Sequence, residues 1–118
     1  MRASDGTVLG TFTVGFQPLG IAFDGANIWV ANRGDGSVTK LKASDGTVLG
    51  TFIVHDGGPY GVAFDGANIW VTGDLTVTEF RADGKVIGDF PFKNTAGIAF
   101  DGANIWVATT FDSALNKL

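Results

Sequence analysis

The chain is built from short apolar runs broken by Asp-Gly and Gly-rich turns. Apolar positions nowhere recur at 3.6-residue spacing over a useful length, so no helix is predicted. One unit shows the pattern. Ile21–Phe23 reads as a first strand and Asp24-Gly25 as a tight turn. Asn27–Ala31 reads as a second strand, followed by the Gly/Asp-rich turn Asn32–Gly36. Val38–Lys42 alternates as a third strand, Asp45-Gly46 turns the chain again, and Thr47–Val54 reads as a fourth. The first two strands are apolar on both faces, which predicts layers covered from both sides. The third and fourth carry more polar positions and belong nearer solvent.

This unit recurs. Phe-Asp-Gly-Ala-Asn-Ile-Trp-Val occurs three times without change, at Phe23–Val30, Phe64–Val71 and Phe100–Val107. A second block, Ala-Ser-Asp-Gly-Thr-Val-Leu-Gly-Thr-Phe, stands at Ala3–Phe12 and Ala43–Phe52 and returns altered at Ala82–Phe90. The first spacing is 41 residues and the second 36; the losses fall at the turn Thr72–Thr76, at Ser44 and at Pro91–Gly97, in loops or strand ends where deletions are tolerated.

Four antiparallel strands in about 40 residues is the spacing of a propeller blade. The run Gly20–Asn32 resembles blades of the NHL, YVTN and virginiamycin B lyase-like propellers, and Gly58-Pro59-Tyr60-Gly61-Val62-Ala63 resembles the loop that leads into a blade in the last of these. The resemblance covers the whole chain and implies an all-β β-propeller. It is specific for the blade and not for an activity, because these families include lyases, lactonases and binding scaffolds. No Gly-His or Trp-Asp pair of the WD40 type is present.

The phase of the repeat predicts an assembly. Ile105–Leu118 aligns without a gap on Ile28–Leu41, and Arg2 aligns with Lys42, so the chain amounts to three repeats cut between third and fourth strands. Blade 1 is expected at residues 20–54 and blade 2 at 61–92. Blade 3, at 97–118, lacks its fourth strand, and residues 2–14 form a fourth strand with no blade of their own. Head-to-tail homo-oligomerisation would pair Thr7–Val14 of one chain with Ser113–Leu118 of the next. A dimer of six blades is the favoured ring and a trimer of nine the next, because propellers typically have about four to eight blades.

Composition sharpens this picture. Glycine, 18 of 118 residues, is enriched over the usual ~7% and sits mostly at turns. The absence of cysteine excludes disulfides and thiol chemistry. A net charge of −4 without a Lys/Arg run argues against nucleic acid as partner. The uncharged stretch Gly6–Phe23 is too rich in Gly and Thr for a membrane span, and Met1–Asp5 leads into no secretory signal, so a soluble chain is expected.

Chemistry is sparse. The loops between fourth and first strands and between second and third strands should share the face on which propellers meet ligands. They supply His55, Asp56, Tyr60, Arg33, Asp35, Lys93 and Asn94 as ligand-binding candidates at the channel mouth. His55 is the only histidine and the one ready base at neutral pH. A lyase of the virginiamycin type would need histidines and carboxylates around a divalent metal, for which one histidine is thin. Arg33-Gly34-Asp35 is read as a coincidental adhesion tripeptide. The repeated Asp-Gly pairs are read as turn caps rather than calcium ligands. Trp29, Trp70, Trp106, Phe23, Phe64 and Phe100 are read as inter-blade packing rather than a sugar platform. No catalytic residue, metal or cofactor is expected. The leading expectation is a non-catalytic self-assembling scaffold or binding module; a metal-assisted lyase or hydrolase and a lectin-like glycan binder are the alternatives.

Overall fold

The computed structural model describes residues 1–54 and 58–118. Among the described residues, eleven strands form three antiparallel sheets in chain order. The first sheet runs β1 (Pro18–Phe23), β2 (Asn27–Asn32), β3 (Ser37–Lys42), β4 (Val48–Ile53). The second runs β5 (Val62–Phe64), β6 (Ile69–Thr72), β7 (Thr76–Phe80), β8 (Val86–Pro91). The third has only β9 (Thr95–Phe100), β10 (Ile105–Thr109) and β11 (Ala114–Lys117). Within each sheet every strand pairs antiparallel with the next through a short connection, the meander of a propeller blade.

Most expected strands gain or lose a residue at an end. β1 is longer than expected because it starts at Pro18, opposite Asn32, and recovers register through an irregularity before Ile21. Proline is tolerated there because the first residue of a strand need not donate to the ladder. One expectation of no helix is corrected: Arg33–Asp35 forms a single 3-10 turn, ended by Gly36 at φ +62°. Thr7–Val14, expected as a strand that pairs with a second copy, joins no sheet within the single chain.

The sheets pack face to face through a repeated scheme. Between sheets one and two, Trp29, Ala31 and Val38 from the forward face of the first meet Val62, Ile69, Val71 and Phe80 from the rear face of the second. Between sheets two and three, Val77 and Trp70 meet Ile98, Ile105 and Val107. Burying such side chains is worth about 1.5–3 kcal/mol each. Phe52 stacks on Trp29 with centroids 5.8 Å apart, and its counterpart Phe90 stacks on Trp70 at 5.7 Å.

The two outer faces have no neighbouring sheet. Ile21 at the rear of the first sheet is 66% exposed, whereas its equivalent Val62 is 8% exposed. Leu115 at the front of the third sheet is 65% exposed, whereas its equivalents Val38 and Val77 are both 0% exposed. The expectation that first strands are covered on both sides therefore holds for β5 and fails for β1, which has no blade behind it.

Candidate functional site

The octapeptide repeat builds a small clamp three times. Asp24 Oδ1 accepts the backbone N–H groups of Ala26 and Asn27, at 2.9 and 2.7 Å, which closes the turn. Its Oδ2 accepts the Trp29 indole N–H at 2.8 Å. Asp65 holds Trp70 and Asp101 holds Trp106 in the same way, each at 2.7 Å. Burial raises the Asp24 and Asp65 carboxyls, but the indole and turn hydrogen bonds outweigh it and leave both below the usual range. For exposed Asp101 the indole bond leads, and the carboxyl is lowered to about 2. These three carboxylates are thus consumed by the fold.

The same holds on the loop face. Arg33 lies over the Tyr60 ring, 3.9 Å from its centroid, and donates to the Gly58 carbonyl at 2.8 Å. It also pairs with Asp74 at 3.4 Å. Asp35 accepts the Phe16 N–H at 2.7 Å. Arg33 therefore ties its loop to those of the second sheet, and Asp35 ties its own to the segment leading into β1, rather than the two acting as one exposed pair. Asn94, at φ +60°, donates its N–H to the Asp74 carbonyl at 2.9 Å and accepts the Thr110 N–H at 2.9 Å. Lys93 beside it is exposed. The structure brings Arg33 and Tyr60 into contact and, among the described residues, links Asn94 to them through Asp74. His55 and Asp56 lie outside the described residues. Among the described residues, no three His, Cys, Asp or Glu side chains gather as a metal would require.

Of the six aromatic positions read as packing residues, Trp29 is fully buried, and Phe64, Trp70 and Phe100 pack against the two clusters. Phe23 and Trp106 lie on the two open outer faces.

What the sequence reading missed is how the N-terminal segment sits. Phe12 lays its ring against Gly46, and Phe12 and Val14 border an apolar groove of about 270 Å³ over Ile21, Ile28, Val30 and Leu41, the rear face of the first sheet. Gly15 N–H donates to buried Asn32 at 3.2 Å. Phe52 meets Gly84 in the same manner, and Val54 is buried in the first inter-sheet cluster as Val14's counterpart. The N-terminal segment therefore occupies the place that a preceding blade's outermost strand would take. The signal was present in the repeated block at Ala3–Phe12 and Ala43–Phe52, which implies equal seats for Phe12 and Phe52.

No protein-family model matches the chain, and no curated protein matches it by sequence. Solved structures do. Hydrazine synthase of Kuenenia stuttgartiensis superimposes with TM-score 0.73 at 25% identity, over 90% of this chain and 33% of that one. A catalytically inactive virginiamycin B lyase from Staphylococcus aureus, solved with quinupristin, gives 0.73 at 19% identity over 85% and 36%. The Cps50 (Swd1) β-propeller domain of Myceliophteria thermophila gives 0.73 at 13% identity over 93% and 39%. The chain has the β-propeller fold, and it spans about a third of the length of these proteins.

Proposed function

We propose that this chain is a building block of a β-propeller: a non-catalytic scaffold or binding module whose copies complete one another's blades head to tail, six blades to a dimer. The likeness to propeller structures supports a scaffold or binding module. The observation that carries the assembly is the contrast between equivalent positions. Ile21 and Leu115 are exposed, while Val62, Val38 and Val77 in the same roles are buried. Apolar faces of this kind mark association surfaces.

The repeat also supplies the register. Val38 pairs with Phe52 and Val77 with Phe90. The same rule sets Leu115 of one copy opposite Phe12 of another and lets Phe12 stack on Trp106, as Phe52 does on Trp29. Strand Thr7–Val14 then becomes the missing fourth strand beside β11. Any ligand would meet the loop face around Arg33, Tyr60, Lys93 and Asn94, with His55 and Asp56 nearby in sequence.

Native mass measurement tests this reading. A species at twice the 12.3 kDa chain mass is expected, three times that mass would indicate nine blades, and a stable 12.3 kDa monomer overturns the proposal.

A further inference from the structure

We infer that closure between copies has a second contact point, in which Phe90 of one copy seats its ring on the Arg2–Gly6 turn of another. The inference rests on the head-to-tail assembly proposed above and names the residues that would fix its direction. The motif is already present twice within the chain. The Phe12 ring rests against Gly46 and the Phe52 ring against Gly84, each a glycine of positive φ in the turn before a fourth strand. In both, an aromatic ring from one repeat fills the space that a side chain on the next repeat's turn would take.

The third ring and the third seat both exist, apart. Phe90 is the third member of the Phe12, Phe52, Phe90 series. It is held on Trp70 just as Phe52 is held on Trp29, yet it is 42% exposed, beside an apolar groove of about 270 Å³ lined by Trp70, Phe90 and Leu118. Gly6 is the third member of the Gly46, Gly84, Gly6 series, and nothing lies within 4 Å of the position its Cβ would take.

The seat is already shaped. In the first turn Gly6 N–H donates to Arg2 O at 2.7 Å and Arg2 N–H to Thr7 O at 2.7 Å. In the second, Gly46 N–H donates to Lys42 O at 2.8 Å and Lys42 N–H to Thr47 O at 2.8 Å. In the third, Gly84 N–H donates to Arg81 O and Arg81 N–H to Lys85 O, both at 2.8 Å. Asp5, Asp45 and Asp83 each accept the N–H two residues on, at 2.9, 2.9 and 3.0 Å. The turn thus keeps its form although its own sheet is missing, so binding requires little reordering of the backbone. A lone strand pairing can slip in register. A ring seated on a glycine turn, one blade away from the paired strand, admits only one alignment.

The test replaces Phe90 with photoreactive p-azidophenylalanine in the full chain, with the same substitution at Phe52 as an internal reference. Irradiation at position 52 should link within one chain to Arg81–Gly84. At position 90 we expect a covalent product at a multiple of 12.3 kDa whose junction maps by mass spectrometry to residues 1–7 of a second copy. A native oligomer in which position 52 links as stated, while position 90 links elsewhere or not at all, overturns this contact and leaves the assembly standing. A link from position 90 to residues 1–7 of the same chain, or a monomer by native mass, overturns both.

Discussion

Each Asp of the octapeptide closes a turn with one oxygen and anchors an indole with the other, so a single carboxylate joins a hairpin to the face that packs on the neighbouring blade. The turn role was legible from Asp-Gly alone. The indole partner was not, because it depends on the hairpin bringing together residues five apart, although the constant Asp-to-Trp spacing in all three repeats carried the signal. Asp65→Ala removes both functions, and thermal or urea unfolding should record a loss of about 1–3 kcal/mol. Acid should act through the same groups. The Asp101 carboxyl is lowered to about 2 from an ordinary 3.8. A group depressed on folding stabilises the fold above its unfolded value and loses that contribution as pH falls toward its folded one. Thermal midpoints should therefore fall as pH drops from about 4 to about 2, and Asp101→Asn should blunt part of that slope.

At the level of strands, turn residues and alternation marked where each element lies, because hairpin chemistry is local. Packing decided what they could not mark. β1 and β5 share a pattern, yet β1 is exposed and β5 buried, since burial depends on whether another sheet stands behind. Thr7–Val14 repeats the sequence around β4 but joins no ladder, because a strand needs a partner as well as a propensity. It is nevertheless held on the rear face of the first sheet through Phe12 and Gly15. Deleting Met1–Val14 would bare that face and leave β11 without its proposed partner. Light scattering should then show aggregation or irregular association, since open edges and apolar faces seek other chains. A truncated chain that keeps the oligomer size of the full one would contradict strand exchange. The Arg33–Tyr60 contact joins residues from adjacent blades, and no local pattern foretells it.

For the whole molecule, the seam should be separable from the fold. Leu115 is exposed in the single chain, whereas Val77 in the same role is fully buried. Leu115→Lys should therefore reduce the native mass to 12.3 kDa while circular dichroism still reports β structure. Val77→Lys places a charge between two packed sheets and should unfold the chain outright. If Leu115→Lys leaves the native mass unchanged, the third sheet's front face is not the contact. The proposed completion of the three-stranded third sheet by a second copy also has a thermodynamic consequence. A propeller closed by copies draws part of its stability from association, so its melting temperature should climb with protein concentration and dilution should weaken it. The order of loss on dilution should be outward from the seam, with β9 to β11 and the N-terminal segment released before the interface between the first two sheets.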